Sequence, residues 1–150
     1  LVTAEGPKSI GSTRAMNLTA DTSPYFPAWV ENQDLDLKAM REAIFARDFE
    51  QLGELSEFSC LKMHALAMSA RPGIVYWNAT TVELIHAVRR LRRQGHPIYF
   101  TIDAGPQVKL IGPPGSGGQM RRLFEDFPGV QQAILTGLGP SAYLVEEPEA

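Results

Sequence analysis

The sequence predicts an α+β fold, a mainly antiparallel sheet with helices packed on one face. Three observations carry this reading. Apolar residues recur at mixed three- and four-residue spacing over most of 24–94, as in amphipathic helices. Ile98, Phe100 and Ile102 then alternate with Tyr99 and Thr101, the period of a strand. Short apolar runs broken by Gly/Pro clusters follow to the C-terminus.

Residues 1–5 form a short apolar run and are expected to be a strand. Residues 6–14 are rich in turn formers and hydroxyls, which predicts a loop. Asp21-Thr22-Ser23-Pro24 has the capping hydroxyl and proline of a helix start. The spacing predicts a helix from about Pro24 to Arg47, with a possible break at Pro27. Asp48 is the expected cap of a second helix, which Pro72-Gly73 stops after Ala70. A third helix is expected from Thr80 to Gln94, closed by Gly95 and Pro97.

Past the strand at 98–102, Ala104-Gly105-Pro106 turns the chain into a second strand at Val108 to Ile111. Pro113 to Gly118 reads as a loop and Met120 to Phe127 as a short helix. Val130 to Thr136 and Ala142 to Val145 are the last expected strands, and 146–150 an acidic tail. The whole of 1–150 reads as one domain.

Composition narrows the function classes. The chain has 150 residues, 44% hydrophobic and 21% charged, with a net charge of −3. That balance gives no electrostatic case for nucleic acid or an anionic membrane. No apolar stretch approaches a membrane span, and no signal peptide is visible. The run Arg89-Arg90-Leu91-Arg92-Arg93 reads as a solvated helix end that complements the dipole. One cysteine, Cys60, excludes an internal disulfide and a Cys-rich zinc site. It is expected to be a buried thiol, with His64 a neighbour on the same helix face. His64 and His86 read as helix-packing or surface residues, and no metal site is expected. The start, without Met or a polar lead-in, reads as the interior of a longer domain.

Two segments could carry chemistry. Asp103 ends a strand where a tight Gly-Pro turn begins, which would hold a general base rigidly. On pattern alone, an Asp bonded to the turn's own amides accounts for it as well. In Lys8 to Arg14, glycines, cations and hydroxyls together suit a phosphate, although a solvated turn fits equally. The segment is not a Walker loop, because the terminal Gly-Lys-Ser/Thr is missing. Gly115-Ser116-Gly117-Gly118 lacks a Lys and reads as a flexible loop entering a helix.

Three motifs, taken in order, resemble the diphosphomevalonate decarboxylase family of the GHMP kinase superfamily. Ser12-Thr13-Arg14-Ala15-Met16 through Thr22-Ser23 is similar to the family's Ser-Ser/Thr-x-Gly-Met…Thr-Ser segment. Lys62-Met63-His64-Ala65 is similar to its Met/Phe-His-Ala helix. Tyr99-Phe100-Thr101-Ile102-Asp103-Ala104-Gly105-Pro106 is similar to its strand and turn ending in Asp-Ala-Gly-Pro. The likeness covers Gly6 to about Ile111, with a weaker echo at Thr136 to Pro140.

The resemblance implies the superfamily's C-terminal, ferredoxin-like domain. It implies ATP-dependent decarboxylation of mevalonate 5-diphosphate to isopentenyl diphosphate, with ATP and Mg2+ held mainly by an N-terminal domain that this sequence does not contain. Asp103 matches the family's catalytic Asp. Ser12, Thr13 and Arg14 fall in the substrate-binding segment, Ala104 and Gly105 in the turn beside the base, and Lys8 where bacterial members have a Lys linked to ATP phosphates. Ala15 departs from the family's Gly, and Arg14 follows Thr13 rather than replacing it. The resemblance also implies a cytoplasmic homodimer whose C-terminal part alone neither binds ATP well nor turns over. A mevalonate 3-kinase, a monophosphate decarboxylase and a non-catalytic GHMP-like module remain as alternatives.

Overall fold

The structure is a computed structural model that describes residues 1–144. It is α+β, with helices packed on a small antiparallel sheet. The first helix, α1, spans Ser12–Thr22, so that its first turn falls within the loop expected at 6–14 and the rest was not foreseen. Hydroxyl-rich composition concealed it, yet Ala15 and Thr19 lie one turn apart and are both buried. Asp21 and Thr22 therefore close α1 instead of opening the next helix. Ser23, the expected cap, bonds Ser69 Oγ at 2.6 Å instead.

Helix α2 runs Phe26–Ala46 and ends in Arg47, whose φ of 56° turns the chain. Helix α3, Phe49–Ser69, is capped as expected, Asp48 accepting from Gln51 N–H at 3.0 Å. Helix α4, Ala79–Arg93, opens on a capping box made by Asn78 and Thr81. Strands β1 (Tyr99–Thr101) and β2 (Lys109–Ile111) pair antiparallel, Thr101 opposite Lys109. Helix α5, Gly117–Phe124, starts within the glycine run and ends earlier than expected.

The core lies between β1 and the helices. Ile98, Phe100 and Ile102 pack with Cys60 of α3, Leu84, Ile85 and Val88 of α4, and Phe124 of α5. Tyr99 is buried as well, so both faces of β1 are covered. Its ring meets Phe49 edge-on and lies against Gly53, where a Cβ would overlap it.

One stripe of α3 runs along β1. It is made of Gly53, Glu57, Cys60 and His64, all buried. Glu57 accepts the Phe100 N–H at 3.2 Å. Cys60 Sγ and His64 Nε2 reach the Ile102 carbonyl at 3.4 and 3.3 Å. Side chains thus occupy backbone groups that a third strand would otherwise pair. Arg92 completes the arrangement with a bidentate pair to Glu57 at 2.6 and 3.0 Å, so it is not the solvated cation expected.

The sheet is smaller than the sequence implied. Residues 1–5 contribute one bridge, Val2 to Gln132, although Leu1 and Val108 also exchange backbone hydrogen bonds. The expected strand at 130–136 is reduced to the same bridge, and 142–144 form none. Ile134, Leu135, Tyr143 and Leu144 are largely exposed there. Val145 and the acidic tail lie outside the described residues. No helix among the described residues is long and apolar enough to cross a membrane.

Candidate active site

Asp103 stands where the chain leaves the hairpin ladder. β1 ends at Thr101, and the next carbonyl, Ile102, is the one held by α3. On the far side, Gly105 N–H donates to the Asp103 carbonyl at 2.7 Å. The Pro106 carbonyl accepts the hydroxyls of Thr3 at 3.0 Å and Thr81 at 2.7 Å. Gln107 is tied to the Thr3 and Ala4 backbone. The turn is therefore fixed from three directions while the carboxylate projects to solvent.

Among the described residues that carboxylate has one ion-pair partner, Lys109, at 2.9 Å. Hairpin register explains the meeting. Lys109 lies opposite Thr101, and Asp103 follows on the same side two residues later. The Lys109 ammonium holds the Asp103 carboxyl below the ordinary aspartate range, against a smaller opposing push from partial burial. The charge of Lys8 adds a weaker pull in the same direction. Asp103 is thus ionised at neutral pH, as an acceptor of protons must be.

Ala104 is half-buried and Gly105 buried beside it. A Cβ at Gly105 would meet nothing within 4 Å, so space alone does not demand glycine there. Lys8 is exposed in the lead-in to α1. Ser12, Thr13 and Arg14 form the exposed first turn of that helix, whose Gly11 cap provides no side-chain hydrogen bond. Free N–H groups, hydroxyls and a guanidinium share that turn, a set suited to phosphate. Among the described residues, no hydrogen bond joins this turn to Asp103. The link runs instead through Tyr76, whose hydroxyl donates to the Ile10 carbonyl at 3.5 Å and whose ring meets His64 edge-on at 6.1 Å.

Two residues near Asp103 were given no role from the residues alone, although His64 lies in the helix motif of the family resemblance. Lys109 was readable from strand register once the hairpin was recognised. Of the two readings of His64, packing or surface, packing holds: it is fully buried, and it is also bonded to the strand exit, which was not expected. Burial lowers its pKa, so the ring is neutral at neutral pH. Burial likewise raises the Cys60 pKa, so the thiol stays protonated and is no nucleophile. No group of three His, Cys, Asp or Glu side chains that could hold a metal ion occurs among the described residues.

Fold and site together define an α+β domain that presents an ionised carboxylate, with two lysines acting on it, at one strand exit. The model of the mevalonate 5-diphosphate decarboxylase C-terminal domain matches residues 1–135, and the chain belongs to that family. Phosphomevalonate decarboxylase of Haloferax volcanii is 30% identical over 139 residues, covering 92% of this chain and 42% of that protein. Diphosphomevalonate decarboxylase of Candida albicans is 32% identical over 111 residues, covering 73% of this chain and 31% of that protein. A solved Enterococcus faecalis mevalonate diphosphate decarboxylase, studied for its mevalonate diphosphate mediated ATP binding, has a TM-score of 0.73 at 35% identity. The likeness covers 79% of this chain and 37% of that one. The chain thus spans between 31% and 42% of the length of these three relatives.

Proposed function

We propose that this chain supplies the catalytic carboxylate of an ATP-dependent decarboxylase acting on mevalonate 5-diphosphate. The observation that carries the reading is Asp103, an ionised carboxylate at a strand exit whose flanking backbone is held on both sides. A tertiary alcohol is a poor nucleophile, so a positioned base assists it. Asp103 accepts the C3 hydroxyl proton as that oxygen takes the γ-phosphoryl group of ATP. Phosphate then leaves C3, the electrons of the breaking C–C bond form the alkene, and CO2 departs. Most of such catalysis is positioning and charge neutralisation. Lys8 and the α1 turn at Ser12, Thr13 and Arg14 are the groups here that suit the phosphates.

Magnesium in such reactions is held by nucleotide phosphates and one or two carboxylates, so on this reading it would come with ATP. The ATP loop and the Arg that handles the substrate carboxylate belong, on this reading, to a further domain, so this chain alone does not turn over. The test is an assay of the intact protein with labelled ATP and mevalonate diphosphate. Release of both ADP and CO2 is the expected result. ADP without CO2 would mean a 3-kinase, and neither product a binding module.

A second reading has one observation in its favour. The Haloferax relative, matched over 92% of this chain, is a phosphomevalonate decarboxylase. CO2 release from the monophosphate in preference to the diphosphate would select that substrate.

A further inference from the structure

We propose that His64 is a positioning residue for Asp103, acting through the Ile102 carbonyl to fix where the chain leaves β1. The proposal rests on the reading of Asp103 as the base.

Ile102 lies one residue beyond the ladder, which ends at Thr101. The ladder therefore does not order its carbonyl. Two side chains of α3, one turn apart, do so instead: His64 Nε2 at 3.3 Å and Cys60 Sγ at 3.4 Å. A thiol is a weak donor, which leaves the imidazole as the main anchor. A carbonyl only accepts, so Nε2 carries the hydrogen and Nδ1 is left a bare acceptor. Nδ1 is buried without a hydrogen-bond partner.

That orphan makes the histidine costly where it stands. Leucine would fill the core without the cost, so packing alone does not account for an imidazole. What the imidazole adds is the bond to Ile102, directly before the base. Its ring is fixed in turn by Trp77, 4.8 Å away, and by Tyr76. Tyr76 reaches the Ile10 carbonyl, just ahead of the α1 turn that bears Ser12 to Arg14. His64 thus sits between the strand exit, where the backbone and charge of Asp103 also act on its ring, and the cationic segment. A misplacement of about 1 Å at a reacting group is enough to cost roughly 10²-fold in rate.

The test uses the intact enzyme with His64→Leu, His64→Gln and each combined with Asp103→Asn. His64→Leu is expected to lower kcat by roughly 10- to 100-fold with both KM values nearly unchanged. The amide of His64→Gln can reach the same carbonyl and should restore kcat to within about 5-fold of wild type. In the Asp103→Asn background, His64→Leu should change the residual rate by less than about 3-fold, because the group it positions is already disabled. Equal losses for Leu and Gln, or the same loss with and without Asp103, would overturn the proposal. Should His64→Leu not fold, Gln is compared with Asn, whose shorter amide stops at the Nδ1 position: active Gln and impaired Asn support the role, and equal rates sink it. A wild-type enzyme that releases no CO2 overturns the functional reading and this proposal together. An active wild type with additive losses overturns only the role of His64.

Discussion

The two ends of β1 carry the same chemistry in opposite surroundings. At Tyr99–Phe100, the pair Arg92–Glu57 has side chains 27% and 8% exposed. At the exit, Lys109–Asp103 has side chains 53% and 73% exposed. Water decides what each pair does. The buried carboxylate is committed to Arg92 and the Phe100 N–H, and removing it strands both. The exposed carboxylate has spare lone pairs and screened attraction, so it adds little stability and stays free to accept a proton. One end of the strand holds the fold, and the other is where the proposed function places the reaction.

Four substitutions in the intact enzyme probe this contrast. Asp103→Asn should lower kcat by about 10²–10⁴ with little change in KM and only a slight fall in the urea midpoint. A raised KM at near-normal kcat would make Asp103 a binding group instead. Glu57→Ala should do the reverse, destabilising by about 3 kcal/mol in urea titration through a broken buried pair. Gly53→Ala should cost about 1–3 kcal/mol, since its Cβ would overlap the Tyr99 ring.

Lys109→Met is the mildest and acts on pH. Lys109 is the main group depressing the Asp103 pKa, with Lys8 helping from the N-terminal segment and neutral His64 the titratable neighbour on α3. The pair stabilises the fold above the unfolded aspartate value, and that contribution is lost as pH falls through the lower folded value. Without Lys109 the folded pKa rises. The acid limb of kcat/KM should then move to higher pH, while stability at pH 7 changes by only about 0.5 kcal/mol. An unmoved limb would break the assignment of that limb to Asp103.

Much of this arrangement was legible in the sequence. Strand alternation, the Asp48 cap and the Gly95 stop each rest on local chemistry, and each is where it was expected. The face that α3 turns to β1 was not legible. Hydrophobic spacing favoured Phe49, Leu52, Leu55, Cys60, Met63 and Leu66, of which Cys60 and Leu66 are buried, whereas the stripe along β1 is Gly53, Glu57, Cys60 and His64. A charged residue, an imidazole and a glycine look like surface until a backbone edge lies opposite them. Likewise α1 was obscured because Ser12, Thr13 and Thr19 resemble a loop, although Thr19 is buried with its hydroxyl bonded to the Ala15 carbonyl at 2.8 Å. Asp103 was visible as a strand-end acid, but its partner Lys109 required the pairing register.

The α3 stripe also bears on how the protein behaves in crowded company. A bare strand edge is a template on which another chain can extend a sheet. Here the Phe100 amide and the Ile102 carbonyl are already occupied, so the edge offers a recruit little to grip. Helix α3, with Glu57, Cys60 and His64 bonded along it, thus covers that edge as well as supporting the fold. Loss of Glu57 or His64 should show as raised light scattering of the purified enzyme at high concentration, at temperatures where the variant is still folded.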